Sequence, residues 1–426
     1  MSASENRVAT GVPPAVEPGI LPGGKKVDNF KRKKISSDDP GGKMPPSTSG
    51  ETPDATSSRS PVRFELATQR DDAEIRRLLR ENPMPGKISI SLEREPDYFT
   101  DANLPGETKQ TIIARENGRV VCVGNCAIRQ RFVNGESRRV GYLGGLRLDA
   151  RQAGRFDILR RGYEFFRELQ SENPAEFYFT SIAAENIRAQ KFFERSLPGM
   201  PCYEFIDEFV TILLSARSSR RESAHFKNSE RGTRNAEFDQ SLLKSAATNN
   251  RYQFGPDWTS EGLTSLQSLG LRREDFCIVS EGVRIVSCAS LWDQRQFKQT
   301  VIRNYAPWLA MARPTLNLFA RITRRPRLPA VGETLANAFV SHLAVVSEES
   351  NSLITLIAKL RGMASERKIK FLTLGFAASD PRVATVQKQF RGREYRSRIY
   401  VVRWPEFGGA AAELDARPLA PEVALL

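Results

Sequence analysis

The sequence predicts an α/β fold made of two tandem units, each a mixed sheet with helices on both faces. Three observations predict it. Residues 61–215 read as β-α-βββ-α-β-α-β from apolar periodicity and turn signals. Much of that order returns over residues 252–404, where Arg151 falls on Glu349 and Asn186 on Asp380. "SIAAENIRA" laid over "GFAASDPRV" is the clearest trace of this repeat, and a repeat of that length points to duplication.

In the first unit, Val62–Leu66 reads as a strand. Asp71 or Asp72 caps a helix whose Ile75, Leu78 and Leu79 share one face, and Pro83 ends it. Residues 111–148 give three strands joined by hairpin turns at Asn117–Gly118 and Asn134–Gly135. The glycine pair Gly144–Gly145 in the third strand marks a bulge or relieves packing. "LRLDARQAGRFDILRRGYEFF", residues 146–166, then passes from strand to basic loop to amphipathic helix. A helix start exposes unpaired N–H groups and the positive end of the dipole, so its default guest is an anion. "EFYFTSIAA" is a buried strand, "ENIRAQKFFERS" a helix opening at Asn186, and "CYEFIDEFVTILLSA" a strand closing the unit.

The second unit repeats these parts. "FCIVSEGVRIVSCASLWD" is a hairpin turning at Glu281–Gly282, and "NAFVSHLAVVSEESNSLITLIAKL" is strand, loop and helix. "KFLTLGFAASDPRVATVQKQF" is strand and helix, and "YRSRIYVVRW" is the closing strand. The loop differs from its counterpart. Glu348 and Glu349 stand where the first unit is basic, no glycine is present, and an anion would be repelled.

The domain reading is therefore 61–215 and 251–405, with 216–250 as a linker or mobile insert and 406–426 as a flexible tail. Residues 1–60 are rich in Pro, Gly, Ser and charge, with KRKK at Lys31–Lys34, and are expected to be disordered. Composition narrows function. A net charge of +14 points to an anionic partner, such as a phosphorylated ligand, an acidic substrate or nucleic acid. No helix-turn-helix, zinc-finger or RNA-binding sheet pattern accompanies it, which argues against nucleic acid. No apolar run is long enough to span a bilayer, and no secretion signal opens the chain. Five cysteines without a CxxC pair fit reduced thiols in the cytoplasm, and two histidines, His225 and His342, argue against a His-rich metal site.

On these motifs the chain resembles the GCN5-related N-acetyltransferase superfamily, over most of 61–215 and more weakly over 252–405. The family loop Q/R-x-x-G-x-G/A falls on Arg151, Gln152, Ala153, Gly154, Arg155 and Phe156, with Phe156 where Gly or Ala is usual. The resemblance implies that this loop holds the pyrophosphate of coenzyme A. The family pattern N-x-x-A-x-x-x-Y-E falls on Asn186, Ala189, Phe193 and Glu194. There the Asn helps to hold the pantetheine arm, and Phe193 replaces the tyrosine that protonates the leaving thiolate. The resemblance further implies two tandem acyl-CoA N-acyltransferase (GNAT-like) domains, acetyl-CoA as co-substrate and a primary amine as acceptor. Backbone N–H groups of Leu146, Arg147 and Leu148 would stabilise the oxyanion, and the second unit would have lost its coenzyme site. Tyr142 and Glu185 are the candidate bases of the first unit, and His342 stands where some members place one.

Structural readings stand beside these. Asn186 serves equally as a helix cap, Arg151, Arg155 and Glu185 as solvated charges, and Tyr142, Phe193 and His342 as core. A non-catalytic tandem scaffold is the competing function, favoured by Phe156, Phe193 and the acidic second loop.

Overall fold

The computed structural model describes residues 61–102, 107–216, 249–282, 284–323, 327–345, 350–406 and 409–426. The expected tail 1–60, most of the expected linker 216–250, and the pair Glu348 and Glu349 lie outside the described residues.

In the first half, β1 (Arg63–Leu66) leads into α1 (Asp72–Glu81), which buries Ile75, Leu78 and Leu79 as their spacing requires. Strand β2 (Ile88–Glu93) follows, and then β3 (Glu107–Glu116), β4 (Arg119–Val133) and β5 (Glu136–Leu148) form an antiparallel meander. Its two turns carry φ of +52° and +75° at Asn117–Gly118 and +55° and +85° at Asn134–Gly135. Left-handed backbone at both central residues is what a two-residue hairpin matching strand twist demands. Next come α2 (Phe156–Gln170), β6 (Phe177–Ala183), α3 (Ile187–Phe193) and β7 (Cys202–Ser215).

The second half holds α4 (Ser260–Leu266), β8 (Phe276–Glu281), β9 (Arg284–Trp292), β10 (Gln299–Tyr305) and α5 (Pro307–Ile322). It ends with β11 (Asn337–Val345), α6 (Ser350–Glu366), β12 (Phe371–Ala377), α7 (Pro381–Phe390) and β13 (Arg393–Arg403). β2 and β10 were not foreseen as a pair, yet they join antiparallel in a two-stranded sheet of their own.

All other strands form one sheet, in the order β1-β3-β4-β5-β6-β13-β7-β12-β11-β9-β8. The closing strands are exchanged. β13 pairs with β6 from Ser397↔Ala183 to Val401↔Phe179, and on its other edge with β7 from Arg393↔Leu213 to Arg403↔Cys202. β7 in turn pairs with β12 from Phe371↔Ser215 to Ala377↔Phe209. The sequence reading lets each closing strand complete its own unit; in the structure each completes the other.

Side chains alternate across the sheet. On one face Leu143 and Tyr178 pack under α2 and α3, and Leu372 and Leu374 pack under α6 and α7. On the opposite face Tyr142 and Phe179 join a core with β2, β10, α4 and the C-terminal segment. That segment corrects the expectation of a flexible tail over 406–426. Leu419, Val423, Ala424 and Leu426 are buried, Gln294 donates to the Ala424 oxygen at 3.0 Å, and Lys298 donates to the Leu426 oxygen at 2.7 Å. Its scattered apolar residues show no helical or strand period, which is why the sequence reads as tail.

The repeat extends to backbone detail. β5 has a bulge where its register against β4 passes from Asn125↔Gly144 to Val123↔Arg147, and Gly145 there has φ +63°. β11 has a bulge where its register against β9 passes from Ser341↔Ser290 to Ala344↔Cys288, and His342 there has φ +55°. His342 is buried, its ring 3.9 Å from that of Trp258, and its Nδ1 lies 2.8 Å from Ser341 Oγ. Burial, reinforced by the Arg129 charge, pushes the imidazole pKa down to about 3.

Two outcomes follow from this architecture. Residues 61–215 alone would lack the strand that separates β6 from β7, leaving unpaired edges in the sheet. The isolated fragment is expected to show no cooperative thermal transition by circular dichroism, and co-expression with 249–426 to restore one; a cooperative melt of the fragment by itself would contradict the exchange. The second outcome concerns pH. An unfolded His342 takes up its proton near pH 6.5 and the folded one only near 3, so stability present above 6.5 is lost as pH falls through that window. His342→Asn, which tolerates the same backbone, should remove on the order of 3 kcal/mol of the stability change between about pH 6.5 and 4, read from denaturant midpoints.

Candidate functional site

The site begins where β5 and β6 part. They pair in parallel only from Val140↔Phe177 to Leu143↔Thr180, and Thr180 Oγ1 donates to the Leu143 oxygen at 2.7 Å. The bulge at Gly145 then turns β5 aside, and from Gly144 onward its edge has no partner on β6. Gly145 takes up this left-handed conformation without the strain that a side chain meets there. Leu143, Gly144 and Leu146 on one side and Thr180 and Ile182 on the other border an apolar cavity of about 90 Å³, roofed by α2.

Phe193 and Tyr203 close the far end of this cavity. Phe193 is buried and stacks on Tyr203 with ring centres 4.6 Å apart. The hydroxyls of Tyr203 and Tyr163 are hydrogen-bonded to each other. Burial pushes the Tyr163 phenol up to about 12 and holds Tyr203 well above its ordinary value, so both keep their protons at neutral pH. These two hydroxyls went unnoticed in the sequence, because Tyr163 and Tyr203 sit on ordinary apolar faces of a helix and a strand. The absent hydroxyl at 193 is the only signal that could have prompted the search.

The basic loop is engaged with the chain's own groups. Arg151 forms a bidentate pair with Asp149 at 3.0 and 2.6 Å, and its amide donates to Asp149 Oδ1 at 3.0 Å. Arg155 pairs with Asp157 at 2.8 Å and Glu116 at 3.1 Å, while Gln152 donates to Glu116 at 2.7 Å. The amides of Gln152, Ala153, Arg155 and Phe156 close tight turns on the oxygens of Asp149, Ala150, Gln152 and Gly154. From Arg151 to Phe156, only the Gly154 amide has no acceptor among the described residues. Gly154 has φ +89° and open space where a β-carbon would point. The Phe156 ring is exposed and stacks on Phe192, with centres 4.8 Å apart.

The remaining sequence candidates fall in different places. Leu146 lines the apolar cavity, Leu148 is buried in the core beneath it, and buried Arg147 donates to the Leu146 oxygen at 2.9 Å. Asn186 caps α3, accepting from the Ala189 amide at 3.2 Å. Glu194, beside Phe193, accepts from Tyr400 and Arg398 of β13, each at 2.7 Å. Tyr142 and Glu185 are not brought together. Glu185 is exposed on the turn before α3 and borders neither cavity described here, whereas Tyr142 is buried on the opposite face of the sheet.

Tyr142 borders a second, polar cavity of about 50 Å³, and Asn125 borders both cavities. Arg129 and Arg131 project into it from alternate positions of β4, so inward-facing charge two residues apart was the legible but overlooked signal. Burial pushes Arg129 down to about 9, with help from Arg131, and Arg131 itself down to about 10. Nearby, against the effect of its burial, Arg94 and Lys109 hold the Asp101 carboxyl well below the usual range. Among the described residues no cluster of His, Cys, Asp and Glu could hold a metal ion, and no helix is long and apolar enough to cross a membrane.

No family model matches the chain, and no curated protein does. Solved structures do. Saccharomyces cerevisiae N-myristoyltransferase with bound myristoyl-CoA is similar over 86% of this chain and 90% of its own, at 12% identity and a TM-score of 0.53. A GCN5-related N-acetyltransferase from Sphaerobacter thermophilus is similar over 80% of this chain and 95% of its own, at 11% identity and a TM-score of 0.50. Likeness at such identity speaks to architecture, and the splayed, bulged and duplicated sheet agrees with it: the chain has the fold of the GCN5-related N-acetyltransferase superfamily.

Proposed function

We propose that the chain is an acyl-CoA-dependent N-acyltransferase that moves an acetyl group from acetyl-CoA to a primary amine at the parting of β5 and β6. The observation that carries this reading is the free edge of β5 beyond Leu143, beside an apolar cavity. An extended pantetheine arm would lie along that edge as a surrogate strand. The thioester oxygen would meet outward-facing backbone amides of the segment Leu146–Leu148, where negative charge develops during attack. A cavity of about 90 Å³ has room for a short acyl group.

The amine would approach from the polar cavity past Asn125 and attack the thioester carbon, and Tyr142, having first given its phenol proton to solvent, would take the amine proton as the phenolate. The C–S bond then breaks and the thiolate takes a proton. Phe193 has none to give, and the Tyr163–Tyr203 pair supplies one from the same cavity wall. The pyrophosphate would compete with Asp149, Asp157 and Glu116 for the loop arginines, so carboxylates now paired with Arg151 and Arg155 set the affinity.

The second reading, a non-catalytic scaffold, is favoured by the Phe156–Phe192 stack and by the neutralised loop. Thiol release over an amine panel separates the two, since sustained coenzyme release with any amine removes the scaffold. Calorimetry should show acetyl-CoA binding that Arg155→Glu weakens about tenfold or more and Asp157→Asn strengthens; no binding at millimolar acetyl-CoA ends the enzyme reading. Tyr203→Phe, which keeps the stacked ring, should lower kcat about tenfold or more with the coenzyme KM unchanged, read by steady-state kinetics.

A further inference from the structure

Helix α5 turns its apolar side to solvent. Leu309 is its one buried residue, while Trp308, Met311, Leu318, Phe319 and Ile322 are 47%, 83%, 59%, 60% and 69% exposed. These are five of the eleven large apolar side chains exposed among the described residues, gathered on a single helix. At 3.6 residues per turn they fall, with Thr315, in one stripe about 100° wide. The opposite side fixes this orientation. Arg313 lies over the Tyr305 ring at 5.7 Å, and Asn317 exchanges two hydrogen bonds with the Leu328 backbone, at 3.1 and 2.7 Å.

Along the sequence, the charge of this stretch has one sign. No Asp or Glu occurs between Asp293 and Glu333, whereas Arg321 and Arg327 lie in the last turn of the helix and just after it. Arg321 and Arg327 are exposed. A second copy of the chain is a poor occupant, because two-fold pairing would set the same arginines against each other with no carboxylate between them. Residues 1–60 and 217–248 are no better, since each carries more Lys and Arg than Asp and Glu.

We propose that α5 docks the protein on an anionic phospholipid surface, its apolar stripe entering the acyl-chain boundary while the neighbouring arginines meet headgroup phosphates. A helix of 16 residues is about 24 Å long and lies flat in such an interface. The inference is independent of the catalytic reading.

The test is co-sedimentation of the full chain with vesicles of phosphatidylcholine, with and without phosphatidylglycerol. About tenfold or more protein should bind the anionic vesicles, and salt should reverse the gain. Met311→Ser, Phe319→Ser and Ile322→Ser together keep the net charge and touch only exposed positions. The triple variant should melt like the parent and lose binding about tenfold or more. Equal binding by the variant would mean adsorption through dispersed basic charge and would overturn the proposal. So would a parent chain left in the supernatant, whether sedimentation velocity then finds a second copy on the stripe or a monomer.

Discussion

β13 hydrogen-bonds along both edges to strands from the other half of the chain, and the centre of the sheet exists only through that arrangement. It couples more than backbone. Arg398 and Tyr400 of β13 hold Glu194 beside Phe193, so the wall of the first half's apolar cavity is braced from the second half. The second half therefore supports the site whatever its own loop binds. A half that lost its ligand would still be retained for this structural part.

The chemistry around the splay depends on what lies on each face of the sheet. The apolar cavity and the tyrosine pair are under α2, and the charged cavity with Tyr142 and Arg131 is on the other side. Alternation along β4 and β5 makes this separation unavoidable, since neighbouring residues point to opposite faces. Under the proposed reading, a thioester and an amine would come to the opened strands from the two faces without colliding.

How much of this was legible follows from how local each feature is. The hairpins at Asn117–Gly118 and Asn134–Gly135 and the buried face of α1 are set by neighbouring residues, and they appear where the sequence places them. Gly144–Gly145 as a bulge was equally local. The exchange of β7 and β13 was not legible, because a strand has the same alternation whichever neighbour it joins. The β2–β10 pair, about two hundred residues apart, hid for the same reason. In the site, the sequence leaves Arg151 and Arg155 as charges that face a ligand or solvent. Asp149 and Asp157, each two residues away, pair with them instead, and spacing along the chain does not say which partner an arginine takes.

The two bulges share a backbone detour and differ in what stands on it. Glycine at 145 leaves the detour bare, and the opening beside it measures about 90 Å³. At 342 a buried imidazole stands on it, stacked on Trp258 with ring centres 3.9 Å apart. One detour thus carries bare backbone in the first half and a buried aromatic ring in the second. The shape of the backbone is therefore no guide to its contents: the same kink frames a hollow on one side of the molecule and a packed ring on the other.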